Sequence, residues 1–298
     1  MTTIRRALVA VDADGSDSEL LQYASLLPRL SPEVAISFIH VLGWQAHSPA
    51  GESPVTHSQA LKKLQDAVSA NFAGKNGVCQ VLHGNLIDQL LITAAETAVD
   101  LILLGHRPEH GNRRALARRL AMKAPCSVWM RPAGGPTDIR RVLAAVDFSI
   151  PSAQALSVAA KIASSLGAEC LALHAYFDAA VMEESEQQAQ RREVRNAFDR
   201  FLAPLDVHGV QIRSIIDESS SVVHAVQRLV ERENVDLVVM GNRGQTRSAS
   251  ILLGSESEHM LMEAHAPVLV VKRRGERISL LRALLDRDFH LPEGPRFS

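Results

Sequence analysis

The residues best suited to chemistry lie in one stretch late in the chain. Gly241-Asn-Arg-Gly244 is followed, after nine residues, by Gly254-Ser255-Glu256-Ser257. Glycines let a backbone approach phosphate oxygens and adopt positive φ. Exposed N–H groups at a helix start, together with the helix dipole, hold an anion. The hydroxyls of Ser255 and Ser257 supply further donors. An aliphatic run at 237–240 precedes the stretch, and an amphipathic segment at 255–263 follows it. Strand, glycine loop and helix in that order point to phosphate binding. The plainer alternative is a loop that only turns the chain, with Ser255 as an N-cap. The third glycine and the two serines favour the phosphate.

Such a loop needs a sheet edge to stand on, and the chain supplies one twice. Ile4-Arg5-Arg6-Ala7-Leu8-Val9-Ala10-Val11-Asp12 recurs as Ile139-Arg140-Arg141-Val142-Leu143-Ala144-Ala145-Val146-Asp147. Val99-Asp100-Leu101-Ile102-Leu103-Leu104-Gly105 recurs as Val235-Asp236-Leu237-Val238-Val239-Met240-Gly241. Ala124-Pro125-Cys126-Ser127-Val128 recurs as Ala266-Pro267-Val268-Leu269-Val270. The offsets are 135, 136 and 142, so the segment after Gly105 is six residues shorter than the one after Gly241. Repeats of this kind define the architecture before any single element does.

Each copy alternates aliphatic strands with helical stretches. Strands are predicted at the start of each copy and at 35–40 and 170–174, 78–82 and 211–216, 100–104 and 236–240, and 127–130 and 268–271. Helices are predicted over 18–30 and 152–166, 57–72 and 182–202, and 86–97 and 221–233. This alternation predicts an α/β fold: two tandem open parallel five-stranded sheets, each covered by helices on both faces and Rossmann-like. Ligands of such sheets lie at the carboxyl ends of the strands. The domains are read as 1–133 and 138–273, joined by the Pro- and Gly-rich linker Arg131-Pro-Ala-Gly-Gly-Pro-Thr-Asp138. A C-terminal tail, 274–298, carries Ile278, Leu281, Leu284 and Leu285 at the spacing of a short helix that packs back on a domain.

The chain resembles the universal stress protein family in its tandem two-domain form. The resemblance rests on Ala145-Val146-Asp147-Phe148-Ser149, the strand ending in His174, residues 236–241, the loop to Ser257, and the closing Ala266-Pro267-Val268-Leu269-Val270-Val271-Lys272. It covers nearly the whole chain apart from the tail, closely in the second repeat and in outline in the first. It implies an adenine nucleotide α-hydrolase-like fold with ATP, alone or with Mg²⁺, at the carboxyl edge of the second sheet. Asp147, in the stretch that begins at Ala145, would lie near adenine and ribose. Ala175 would line the adenine pocket. Met240 and Gly241 would flank ribose and phosphates, and Arg243, Gly244, Gly254, Ser255, Glu256 and Ser257 would surround the phosphate chain. Glu256 departs from that pattern: its carboxylate must face solvent unless a divalent cation intervenes. The resemblance also implies that strands 127–130 and 268–271 meet across a pseudo-two-fold axis, making one chain an intramolecular pseudo-dimer. Pairing there hides two sheet edges. Association into a homodimer is left open.

On the residues alone, Asp147 could equally be a turn or cap residue before Ser149 and Pro151. His174 reads as a packed strand-end residue rather than a base. The first repeat keeps Asp12, but Gly105 is followed by His106-Arg107-Pro108, and Arg113 and Arg114 stand where serines are needed. It is expected not to bind ATP in the same way. Its cluster Arg107, Arg113, Arg114, Arg118, Arg119 and Lys123 is either an anion attractor or a solvated helix face.

Composition narrows the classes. A net charge of −1 over 298 residues gives no footprint for nucleic acid. Cys79, Cys126 and Cys170 are scattered, without metal-ligand spacing. Asp12-Ala-Asp14-Gly-Ser-Asp17 lacks the glycine and the final carboxylate of a calcium loop. No apolar run reaches membrane-spanning length, and the start lacks a signal-peptide core, so a cytoplasmic protein is expected. The HxGH and SGGxDS motifs of related nucleotide-using enzymes are absent, so no catalytic residue is assigned. Three functions remain: a stress-response regulatory protein that binds ATP with an unknown protein partner, a slow ATPase, or a nucleotide-free interaction scaffold.

Overall fold

The protein is described here by a computed structural model over residues 4–43, 56–74, 77–106, 113–176, 184–219, 221–242, 259–261 and 265–272. The first half runs β1 (Arg6–Ala10), α1 (Ser18–Ala24), α2 (Leu26–Leu30), β2 (Ala35–Leu42), α3 (His57–Asn71), β3 (Gly77–His83), α4 (Leu86–Glu96), β4 (Leu101–His106), α5 (Arg113–Lys123) and β5 (Ser127–Pro132). The second runs β6 (Arg141–Ala145), α6 (Ile150–Leu166), β7 (Glu169–Tyr176), α7 (Glu184–Leu202), β8 (Ile212–Glu218), α8 (Val222–Glu233), β9 (Leu237–Gly241) and β10 (Val268–Val271). The expected C-terminal tail lies outside the described residues.

The expected pair of five-stranded sheets is one ten-stranded sheet, in the order β3-β2-β1-β4-β5-β10-β9-β6-β7-β8. Neighbours within each half are parallel, and the junction alone is antiparallel, with Val268 facing Met130, Leu269 facing Trp129 and Val270 facing Val128. Each fifth strand would otherwise expose a row of unpaired backbone groups. Joined, they turn two sheets into one. The strands have apolar residues on both sides, so two cores form. One holds Val9, Phe38, Trp129, Ala144 and Val239 against α1, α2, α3 and α6. The other holds Leu8, Ile102, Val128, Leu143 and Val270 against α4, α5 and α8.

The repeated Val-Asp dipeptide has a structural cause. The Asp100 Oδ2 accepts from the N–H groups of Arg5 (2.8 Å) and Arg6 (3.0 Å). Asp236 Oδ2 does the same for Arg140 (2.8 Å) and Arg141 (2.9 Å). Each carboxylate thus satisfies the donors that lead into the central strand of its half.

The helix expected over 18–30 is two helices broken at Ser25. Pro28 explains the break: it has no N–H to give to Ala24, and its ring crowds that carbonyl. The linker folds around Arg131, whose side chain is buried. Its guanidinium donates to the carbonyls of Pro132, Gly135 and Pro136 and pairs with Glu19 at 3.0 Å. Arg29 and Asp138 form a second, exposed ion pair across the join at 3.1 Å.

Candidate functional site

The carboxyl ends of β7, β6 and β9 lie side by side, and the sequence-predicted residues of the second half gather there. Ala145 ends β6, and Met240 and Gly241 end β9. Ala175 was expected just after its strand; it lies within β7, opposite Asp217 of β8, because the ladder continues to Tyr176. Ala145, Ala175 and Met240 belong to the same side of the sheet, the side covered by α8. Their alignment follows from the register and the alternation of side chains along a strand.

Asp147 stands just beyond β6, at the turn into α6. Its Oδ1 accepts from the backbone N–H of Ser149 at 3.0 Å and from the Ser149 hydroxyl at 2.5 Å. Its own N–H points to the Ser152 hydroxyl at 3.4 Å. Ser149 caps α6 by accepting from the Ser152 N–H at 3.3 Å. The turn requires φ of +63° at Phe148, a conformation bulky residues avoid. Packing offsets this: the Phe148 ring lies 4.1 Å from His174 and 5.4 to 5.6 Å from Phe201 and Phe198. Asp147 is therefore a turn residue by its bonds, and also a carboxylate fixed at the sheet edge.

Gly241 meets the first turn of α6. A Cβ there would sit 2.9 Å from the carbonyl carbon of Pro151 and 3.0 Å from its oxygen. The glycine is thus demanded by the approach of β9 to α6, whatever the loop beyond it binds. Asn242, the next residue, is 3% exposed. Arg243, Gly244, Gly254, Ser255, Glu256 and Ser257 lie outside the described residues. Of the helix expected at 255–263, residues 259–261 are described; they are helical, with Met260 and Leu261 buried.

His174 closes the strand end. Its Nδ1 lies 2.8 Å from the Val146 carbonyl, to which it donates. His40 repeats the arrangement with Val11 at 3.0 Å. Burial lowers the His174 pKa below the ordinary imidazole value, outweighing the upward pull of the Val146 carbonyl and of Asp147. The folded chain therefore resists a proton that the unfolded chain accepts. Stability is full above about pH 6.5 and falls as the pH drops below it. The denaturation midpoint of the wild type should fall more steeply as the pH drops below about 6.5 than that of His174→Gln. Parallel slopes in the two proteins would contradict this assignment.

The first half shows a difference that the glycine pattern alone does not reveal. Where Ser152 offers a hydroxyl, the residue 135 positions earlier is Asp17. It is 3% exposed, and its Oδ2 accepts from the Asp12 N–H at 2.7 Å. Its Oδ1 lies 3.5 Å from where a side chain on Gly105 would begin. The first half thus has a buried carboxylate beside its glycine where the second half has a hydroxyl. Aligning the two repeats is the signal that would have found it. His106 ends β4, and Arg107 and Pro108 lie outside the described residues.

Among the described residues no cluster of three or more His, Cys, Asp or Glu could hold a metal ion. None of their helices is long and apolar enough to cross a membrane. Cys126 and Cys170 are buried, and burial raises the Cys170 thiol pKa to about 12.

Comparison with known proteins agrees with this architecture. Universal stress protein MJ0577 of Methanocaldococcus jannaschii is 32% identical over 97 residues, which span 31% of this chain and 59% of that one. Universal stress protein MT2052 of Mycobacterium tuberculosis is 27% identical over 251 residues, 76% of this chain and 73% of its own. A universal stress protein structure from Archaeoglobus fulgidus superposes with a TM-score of 0.60 at 18% identity, covering 92% of this chain and 98% of that one. The functionally unknown protein PA1789 of Pseudomonas aeruginosa gives 0.68 at 21% identity, covering 94% and 96%. These structures share the fold. The universal stress protein family model matches residues 3–132 and again residues 138–272. This chain belongs to the universal stress protein family and carries its domain twice.

Proposed function

We propose that the second half binds an adenine nucleotide, ATP, and that the protein works as a stress-response regulator rather than a catalyst. The supporting observation is the convergence of Ala145, Asp147, Ala175, Met240 and Gly241 on the carboxyl ends of adjacent strands, directly before the glycine loop. In this reading the two alanines leave room for the flat base, and Asp147 takes the ribose side. The loop from Arg243 through Gly244 to Gly254, Ser255, Glu256 and Ser257 wraps the phosphates, with Mg²⁺ where Glu256 faces them. Nucleotide then biases one conformation or one protein contact over another. His174 holds the turn and takes no part in proton transfer. The first half, with Asp17 beside Gly105, carries no nucleotide.

The test is the nucleotide released when purified protein is denatured, identified by mass and counted per chain. About one adenine nucleotide per chain is the expected result. Intact triphosphate would argue against turnover, diphosphate would point to slow hydrolysis, and cyclic AMP would keep the site but change its ligand. Gly244→Val should weaken binding at least about 30-fold, a loss of roughly 2 kcal/mol. Gly105→Val should leave affinity unchanged. No nucleotide released, and none taken up at millimolar ATP with Mg²⁺, would overturn the proposal in favour of a scaffold.

A further inference from the structure

Val128 and Val270 are equivalent in the repeat and face each other across β5 and β10, so a pseudo-two-fold axis passes through that pair. On the face covered by α1, α2 and α6 the axis creates two seams between the halves, and the chain fills them differently. In one, Trp129 stands opposite Leu269, and Tyr23 of α1 meets the indole edge-on at 5.5 Å. Both rings are 1% exposed, and the Arg131 guanidinium lies 5.5 Å from the Tyr23 ring.

In the other seam, the repeat puts Val271 where the first has Trp129, Val158 where it has Tyr23, and Ser127 where it has Leu269. An indole and a phenol have become two isopropyl groups. The vacated space is a pocket of about 170 Å³, with Leu101, Val158, Ile162 and Val271 among its walls and Lys161 at its rim. A cavity of about 150 Å³ already accommodates a benzene ring. Lys161 stands in place of Leu26 of the first half. Of the other ionisable residues described along the pocket, Asp100 accepts from the N–H groups of Arg5 and Arg6, Lys272 donates to the carbonyls of Met122 and Ala124, and His208 Nδ1 lies 3.3 Å from Asp206. No ion pair joins Lys161 to another described residue.

We propose that this seam pocket binds a small aromatic carboxylate, its ring where the opposite seam keeps its own indole and phenol, its carboxylate on the Lys161 ammonium. The filled seam shows that this join holds a pair of aromatic rings with a cation close by. None of Ala145, Asp147, Ala175 and Met240 lines the pocket, so the site is separate from the proposed nucleotide site.

Titration of the full chain with indole-3-carboxylate, followed by calorimetry or ligand-observed NMR, should give one site per chain. The expected Kd is on the order of 0.1–1 mM. Uncharged indole should bind the wild type about tenfold more weakly, and Lys161→Met should weaken the carboxylate by the same factor. Val158→Tyr, which restores the plug of the other seam, should abolish binding. Val271→Trp serves the same purpose should that variant fold poorly. Saturating ATP should leave the Kd unchanged. Absence of saturable binding up to about 10 mM would overturn the proposal, as would an affinity indifferent to both Lys161→Met and the plugging substitutions.

Discussion

Gly241→Ala is expected to destabilise the chain by about 1–3 kcal/mol, while Gly105→Ala costs less than about 1 kcal/mol. The two glycines hold equivalent positions in β4 and β9, yet their surroundings differ. At Gly241 the new methyl would meet backbone, the carbonyl carbon and oxygen of Pro151 at 2.9 and 3.0 Å. Backbone cannot turn aside, so β9 and the first turn of α6 must separate. At Gly105 the nearest atom is Leu20 Cδ2 at 3.3 Å, the far end of a flexible side chain. Thermal denaturation without nucleotide is the direct check. A loss of several degrees for Gly241→Ala alone is the expected outcome, given roughly 2–4 °C per kcal/mol for a chain of this size class. Equal effects at both sites would mean that the close approach of β9 to α6 is not what demands the glycine. The comparison also separates two reasons for one residue. A glycine kept only for phosphate should be replaceable at no cost to the empty protein.

That distinction marks how much the sequence could convey. The repeat was legible because parallel strands buried on both faces read as unbroken aliphatic runs. Asp147, Met240 and Gly241 were placed at the sheet edge because they end such runs. Contacts between segments distant in sequence were not legible. Nothing near Gly241 announces Pro151, ninety residues earlier. Ala175 was set one step beyond its strand, since alternation does not tell where a ladder stops. The Ser25 break needed attention to Pro28 against the helical spacing around it. Asp17 entered only as part of a rejected calcium loop, and its burial against the Asp12 N–H, beside Gly105, depends on contacts the sequence does not announce. The union of the sheets was implied by family resemblance, whereas the difference between the two seams depends on which side chains the β5–β10 register brings together.

The first seam offers the second large effect. Trp129→Ala should cost about 3–5 kcal/mol, the range for emptying a fully buried aromatic site. The indole is 1% exposed on β5, packed edge-on to Tyr23 and facing Leu269 of the other half. Its removal opens a cavity where both halves contribute walls, and backbone joined in one ten-stranded sheet has little freedom to collapse into it. Trp129→Phe should cost less than about 2 kcal/mol, because it keeps a ring against Tyr23 and removes far less volume than the alanine does. Val271→Ala, the equivalent truncation beside the open pocket, should cost less than half as much as Trp129→Ala, because its side chain already borders empty space. Urea denaturation of the three variants gives the comparison, with midpoints shifting at constant slope if the unfolded state is unaffected. A Trp129→Ala cost no larger than that of Val271→Ala would mean that the aromatic plug does not join the halves. The ordering expected here makes one seam the structural joint and leaves the other free to bind.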